Sequence, residues 1–237
     1  MNKKLILTTF TCLACQSVIA AEQTEAPVWK ASAELGYVST SGNTETDTLN
    51  AKASAETERE KWRHKLDLTA LHTSDAGGTT AEKYSVTAQS DYKLTKPNYL
   101  FANVNYEKDK FSAYDYQVTE SFGYGRRVID KKEMNLDLEI GPGARQSKLN
   151  TGESENEATV RAAAKYNWTI SKSSTFSEVL TVEAGEDTTI TKSITGLSSK
   201  IDDDLSMKLT YTYKQISDVP VGDDTDTETA ITLVYTF

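Results

Sequence analysis

The sequence lacks several features that define common classes of protein. Its two cysteines, Cys12 and Cys15, both fall within the first 20 residues, so the remaining chain cannot form a disulfide framework. After residue 20, no stretch approaches the roughly 20 apolar residues that a membrane-spanning helix needs. Basic residues are outnumbered, with 26 Lys and Arg against 35 Asp and Glu, which argues against nucleic acid as a partner. A disulfide scaffold and a helical membrane protein are therefore excluded.

The beginning of the chain has the composition of a secretory signal peptide. Lys3 and Lys4 form a short basic region, and the stretch from Leu5 to Ile19 is apolar or small. Small residues place the expected cleavage after Ala20, with Ala21 as the alternative. We therefore expect the protein to be exported.

From Trp29 onward, apolar and polar residues alternate in segment after segment, and no stretch has a sustained helical period. Alternation with a period of two is the pattern of a β-strand with one apolar and one polar face. Tight polar turns and longer loops join the segments in turn, as in barrels of the bacterial outer membrane. With both chain ends at the rim of short turns, the longer loops would face the outside of the cell.

This pattern predicts an all-β protein, a transmembrane antiparallel up-and-down β-barrel of about twelve strands. No break in composition divides the strands into two domains. The predicted parts are a signal peptide at residues 1–20, a periplasmic lead-in at residues 21–27 and an outer-membrane β-barrel at residues 28–237.

The direction of the apolar faces distinguishes a membrane barrel from a soluble one. In a membrane barrel the apolar residues face lipid and the charged residues line the lumen. Aromatic residues near the strand ends favour the membrane, because such rings prefer the two interfaces; Tyr99 is among those expected at the inner interface. The candidate lumen-lining residues are Glu34, Lys52, Asp67, Asp91, Glu139, Arg161, Lys165 and Lys208.

Three residues conflict with a regular barrel. Glu120 and Glu178 fall on the predicted lipid face, where a carboxylate is costly at mid-depth. Pro142 interrupts the seventh segment. Since proline cannot donate a hydrogen bond to the strand ladder, we expect a kink or bulge there.

The final segment, Thr227–Phe237, has an apolar face that ends on a terminal aromatic residue. This pattern resembles the closing strand and assembly signal of outer-membrane barrels. We therefore expect the barrel-assembly machinery to recognise this strand, in addition to the lipid around the barrel. The candidate assembly signal consists of Leu233, Tyr235 and Phe237.

Residues suited to catalysis or metal binding are sparse. His72 and Ser74 lie on one segment, but a serine hydrolase needs a serine, a histidine and an orienting group that converge. The acidic clusters lack the ligand spacing of a calcium loop. We expect no enzymatic activity, no cofactor and no metal site.

The remaining candidate for function is the lumen. A barrel of this size encloses either a narrow aqueous path or a plug of side chains. Mixed charges on its wall predict weak selectivity if the lumen conducts, so the first candidate is a narrow, weakly selective pore for ions or small solutes. Two alternatives remain, a non-conducting structural protein of the outer membrane and a soluble periplasmic ligand-binding β-barrel.

One motif resembles a known family. Residues Gly36–Thr44 read GYVSTSGNT, and both the following strand, Leu49–Glu56, and the ending Tyr235–Phe237 agree. The chain is similar from Trp29 to Phe237 to the YdiY-like family of unknown function, whose members are labelled salt-induced outer-membrane proteins. The resemblance implies an outer-membrane barrel of a Gram-negative bacterium and a link to salt stress. It implies no catalytic residues and no particular solute.

Overall fold

The computed structural model describes residues 29–40, 46–112, 114–217 and 224–237. The predicted signal peptide (1–20), the lead-in (21–27) and the GYVSTSGNT motif beyond Thr40 lie outside these ranges. Within them every regular element is a β-strand, and there is no helix long and apolar enough to cross a membrane. The strands are β1 (Trp29–Thr40), β2 (Thr46–Glu58), β3 (Trp62–Asp75), β4 (Gly78–Lys93), β5 (Asn98–Asp109), β6 (Tyr114–Asp130), β7 (Met134–Leu149), β8 (Ser154–Thr169), β9 (Ser174–Gly185), β10 (Thr189–Lys200), β11 (Leu205–Ile216) and β12 (Thr225–Thr236).

Each strand pairs antiparallel with the next, and β12 pairs with β1 to close the cylinder. At this seam Leu35 is opposite Leu233, and the backbone N–H of Phe237 donates to the carbonyl of Ala31 at 2.8 Å. Closure leaves no free strand edge. The predicted antiparallel up-and-down barrel of twelve strands is therefore confirmed.

The barrel is apolar outside and charged inside. Leu35 and Leu233 are 58% and 52% exposed, whereas Glu139 and Arg145 are only 3% and 1% exposed. In a soluble barrel these values would be reversed, because the apolar face would form a dry core. The structure therefore contradicts the soluble ligand-binding barrel and agrees with a transmembrane one.

Aromatic rings on the outer surface gather at the two rims. We call the rim where β1 begins and β12 ends the terminal rim, and the opposite one the distal rim. Rings near the terminal rim belong to Trp29, Trp62, Tyr92, Trp168 and Phe237, and those near the distal rim to Tyr37, Tyr84, Tyr106, Tyr116 and Tyr211. The expectation for Tyr99 is wrong, because this ring is buried inside the barrel with its hydroxyl 3.0 Å from Glu139.

Pro142 causes no bulge. It is opposite Val160 in an unbroken β7–β8 ladder, and the β6–β7 register is the same on both of its sides. Proline has no N–H to donate, and the β6–β7 ladder lacks the pairs at Phe122 and Gly123 before it resumes in the same register. The expected bulge is therefore wrong, because the interruption at Pro142 is a gap of two pairs and the register shifts of β6–β7 lie near the strand ends.

Both glutamates of the lipid face point outward as predicted. Glu120 is exposed and pairs with Val104 and Ala144. Glu178 receives hydrogen bonds from the hydroxyls of Ser193 and Thr195 at 2.6 and 2.5 Å. These two hydroxyls lower the cost of placing a carboxyl group at this position.

The barrel's orientation predicts opposite effects for neighbouring positions of β11. Leu209→Arg places a cation in lipid and should lower the free energy of unfolding by about 2–4 kcal/mol near mid-depth. Thr210→Arg places the same cation in the polar interior and should cost less than Leu209→Arg. Urea titration of the refolded proteins in vesicles measures both. A larger loss for Thr210→Arg would contradict the assigned orientation.

Candidate functional site

The polar faces of the strands converge in the lumen. Side chains of non-neighbouring strands touch there, which is possible only on the inner face of a closed barrel. The structure places all eight candidate lumen-lining residues on that face, seven of them in three groups and Asp91 in a layer next to the third group.

Two of these groups are pairs that lie along the wall. Lys52 and Asp67, on adjacent strands, are 3.8 Å apart. Lys208 on β11 donates to Glu34 on β1 at 2.9 Å. The second pair spans β12 and therefore ties together the strands on either side of the closing one.

The third group is centred on a buried carboxylate, Glu139 of β7. It accepts hydrogen bonds from Lys165 at 2.8 Å, Arg161 and Gln89 at 2.9 Å and Tyr99 at 3.0 Å. We call these five residues the Glu139 cluster. Gln89 lies on β4 and Lys165 on β8, and the two are also in contact at 2.7 Å. The cluster therefore crosses a large part of the lumen.

A second layer lies next to the Glu139 cluster, towards the terminal rim. Arg63 of β3 is 2.6 Å from Asp91 and 3.4 Å from Asp137 of β7. Arg127 donates to Asp137 at 2.7 Å. Asp91 was among the predicted lumen residues, whereas its partner Arg63 and the acceptor Asp137 were not. Both lie at polar positions of the alternation, so the sequence pattern does indicate that they face the lumen.

A further cluster crosses the lumen nearer the distal rim. The Glu107 cluster consists of Glu107 on β5, Lys83 on β4, Lys192 on β10 and Lys214 on β11. Lys214 donates to Glu107 at 2.5 Å, and the other two ammonium groups are 3.6 Å from its carboxylate. Because β5 and β11 are six strands apart in a ring of twelve, they lie on opposite sides of the barrel. None of these four residues was among the sequence candidates.

Above this cluster, Arg145 anchors the β9–β10 connection to the wall. Its guanidinium is 3.0 Å from Glu157 and donates to the carbonyl of Thr188 at 3.3 Å. Arg145 is nearly inaccessible. The connection is therefore held over the lumen.

Glycines on the inner face make room for the large side chains that fill it. A Cβ at Gly125 would lie 2.2 Å from the ring of Tyr99. Arg63 and Arg161 lie over the rings of Tyr99 and Phe101, at 5.1 and 5.3 Å from the centroids. A cavity beside Glu107 measures only about 20 Å³, which holds about one water. Side chains therefore fill the lumen at the Glu139 and Glu107 clusters and make it narrow there.

The candidate assembly signal lies on the outer surface of the closing strand. Leu233, Tyr235 and Phe237 are all exposed on one face, and the last two rings meet edge to face at 4.9 Å. Elsewhere, across ranges 29–40, 46–112, 114–217 and 224–237, no three or more His, Cys, Asp or Glu side chains are grouped to hold a metal ion.

A closed barrel with an apolar exterior and a charged lumen has the fold of outer-membrane porins and channels. It is similar to the COG4313 outer membrane channel from Pseudomonas putida F1, with a TM-score of 0.54 at 11% identity over 91% of this chain and 97% of that one. It is also similar to the NanC porin, with a TM-score of 0.50 at 10% identity over 88% of this chain and 98% of that one. At these identities the likeness concerns the fold alone.

The chain belongs to the family described as "Protein of unknown function, DUF481", which matches residues 33–237. It is 28% identical over 202 residues to "Uncharacterized protein YdiY" of Escherichia coli (strain K12), a match that covers 84% of this chain and 80% of that protein. The YdiY-like family expected from the sequence is therefore confirmed.

The packing of Tyr99 against Gly125 gives a test of the filled lumen. Gly125→Ala forces the Tyr99 ring away from Glu139 and should destabilise the barrel by about 1–3 kcal/mol. Gly196→Ala is the matched control, because the nearest atoms to its Cβ would be the rotatable hydroxyl of Ser177 at 2.6 Å and Cε of the flexible Lys208 side chain at 3.4 Å. Denaturant unfolding of both variants measures the difference. Equal stability of the two would contradict the packing described here.

Proposed function

We propose that this protein resides in the outer membrane of a Gram-negative bacterium as a narrow, weakly selective pore for ions or small solutes. The observation that carries the proposal is the Glu107–Lys214 pair, which joins opposite sides of the lumen. Charged side chains, and not an apolar plug, narrow the lumen at this level. The proposal involves no catalytic step.

An ionic constriction is easier to open than an apolar one. The attraction within a buried ion pair is largely offset by the cost of removing both charges from water. Hydrating Glu107 and Lys214 separately therefore costs little, and rotation of two long side chains widens the path. An apolar plug would instead expose its surface to water on opening.

Weak selectivity follows from the mixture of charges at each level. The Glu139 cluster has one carboxylate beside Arg161 and Lys165, and the adjacent layer has Asp91 and Asp137 beside two arginines. Acidic and basic side chains are thus interleaved along the lumen. Neither cations nor anions meet a ring of one sign, which is what strong selectivity requires.

The link to salt stress rests on the family resemblance. Ion pairs in the lumen are the feature through which ionic strength would act, because salt screens charges that contact water. Partly buried pairs such as Lys83–Glu107 are screened less than exposed ones. We therefore expect a conductance that grows somewhat faster than the salt concentration.

Neutralising Glu107 should open the constriction. Glu107→Gln removes the negative charge that holds Lys214 across the lumen, and we expect a conductance larger by about twofold or more. Lys192 and Lys214 then lose the carboxylate that they contact, while Lys83 keeps Asp109 at 3.7 Å, so the reversal potential in a salt gradient should shift towards anion selectivity. Single-channel recording in planar bilayers measures both quantities.

Asp67→Asn is the matched control, because the Lys52–Asp67 pair lies along the wall and does not cross the lumen. This variant should conduct like the parent. If the parent and Glu107→Gln are both silent in bilayers, the pore is rejected and the non-conducting structural protein is the better account. That alternative is favoured by one observation, the extent to which side chains fill the lumen.

We also propose that Leu233, Tyr235 and Phe237 form the signal that the barrel-assembly machinery recognises. Their exposed face at the closing strand is accessible before the β1–β12 seam forms. Phe237→Ala should therefore lower the amount of protein recovered in the outer-membrane fraction and leave the stability of the folded protein nearly unchanged.

Trp29→Ala serves as the control, because Trp29 is an exposed aromatic residue at the same rim but on the first strand. Quantitative blotting of membrane fractions measures the yield. An equal loss for both variants would assign the effect to the aromatic belt and would contradict a role for the C-terminal signal.

A further inference from the structure

A polar pair lies on the outer surface near the terminal rim. The hydroxyl of Ser90 on β4 and Nδ1 of His64 on β3 are 2.9 Å apart. Both side chains point outward, like their neighbour Leu66, which is exposed. The pair is brought together only by the β3–β4 register. It is distinct from the His72 and Ser74 considered in the sequence.

The pair borders an open groove of about 380 Å³ in the outer wall, a volume within the range of small-molecule sites. Leu66, Ala88, Ala102 and Val104 supply its apolar lining. The groove exists because small residues occupy neighbouring outward positions on β4 and β5. Leu66, Ala88 and Val104 lie farther from the terminal rim than the polar pair does, so the groove extends from the pair towards mid-depth.

Aromatic rings fix the depth of this site in the membrane. Trp62 stacks on His64 with 5.6 Å between ring centroids, and Tyr92 packs edge-on against Trp62 at 4.9 Å. Trp29 also lines the groove. Tryptophan and tyrosine mark the boundary between hydrocarbon and headgroups. The polar pair therefore lies at the level of phospholipid ester and phosphate groups, with the apolar groove at the level of the acyl chains.

His64 has a hydrogen-bonding group available for a ligand. Ser90 contacts Nδ1 of the ring, so a ligand would be bound through the other ring nitrogen, Nε2. When the Ser90 hydroxyl donates to Nδ1, the neutral ring carries its proton on Nε2, which is then a donor. A donor at the edge of hydrocarbon is costly without an acceptor. Ester carbonyl and phosphate oxygens are the acceptors found at this depth.

From this geometry we propose that the groove binds one phospholipid of the periplasmic leaflet. An acyl chain lies along Leu66, Ala88 and Val104, and an ester or phosphate oxygen accepts a hydrogen bond from Nε2 of His64. Ser90 orients the ring and fixes its tautomer. The inference rests on the membrane placement proposed above, with the terminal rim facing the periplasm, and not on conduction through the lumen.

Native mass spectrometry of the intact protein tests this site, with dioleoylphosphatidylglycerol titrated into the detergent solution as the probe. The parent should retain one lipid. His64→Ala should bind it about tenfold more weakly, as expected for loss of one hydrogen bond to a charged or strongly polar group. Ala102→Trp should abolish retention by filling the groove, and an outward tryptophan is tolerated at this depth.

His72→Ala is the matched control, because this histidine is on the same face of β3 but near the distal rim. It should retain the lipid like the parent. Equal retention by all four proteins would mean that the lipid binds unspecifically around the barrel, and it would overturn the proposal. Loss of the lipid in His72→Ala would overturn it as well. Loss in Ala102→Trp with full retention in His64→Ala would overturn the role of the histidine.

Fluorescence quenching gives an independent measurement. Trp29 and Trp62 adjoin the groove, whereas Trp168 lies on β8 at the same rim. In vesicles with a small fraction of brominated-chain phosphatidylglycerol, a Trp168→Phe variant should be quenched more than a variant that retains only Trp168. Equal quenching would contradict a specific site. Conductance of the same samples separates the two proposals. If the protein retains lipid but does not conduct, only the proposed pore is rejected.

Discussion

The structure depends on closure of the strand ladder. Within hydrocarbon no water is available to backbone N–H and C=O groups, so a spanning sheet must have no free edge. The pairing of β1 with β12 supplies the last partners, and the hydrogen bond from Phe237 to Ala31 completes it at the terminal rim. The bridge from Lys208 to Glu34 passes over β12 on the inner side and holds the same seam.

Closure also determines what fills the interior. The alternation that gives lipid an apolar surface sends every second side chain into a lumen of fixed width, and many of those side chains are ionic. Their charges meet across the lumen, as Glu139 and Glu107 do with residues of distant strands. Glycines such as Gly125 leave space for this packing. The lumen is thus narrowed by the same pattern that makes the outer surface suitable for lipid.

Strand alternation was enough to predict the barrel and its strand number, and the aromatic residues near the strand ends were needed to predict that the apolar face is turned towards lipid. The alternation failed at β10. There Ile190 and Ile194 share the inner face with Lys192, while Thr191, Ser193 and Thr195 face outward, so the apolar face is not the lipid face.

The contacts across the lumen also could not be predicted from the sequence. Glu107 and Lys214 are 107 positions apart, and their meeting depends on the stagger of all strands between them. Tyr99 was misplaced for a related reason, because an aromatic residue near a strand end can face either way. The meeting of His64 with Ser90 required the register of β3 and β4, which residue types alone do not specify.

The most direct test is an exchange of the charges that cross the lumen. Single-channel conductance is compared for the parent, for Glu107→Lys, and for Glu107→Lys combined with Lys214→Glu. If this pair sets the width of the lumen, the single substitution raises the conductance and the exchange restores the parental value. A double variant that conducts at least as well as the single one would contradict it.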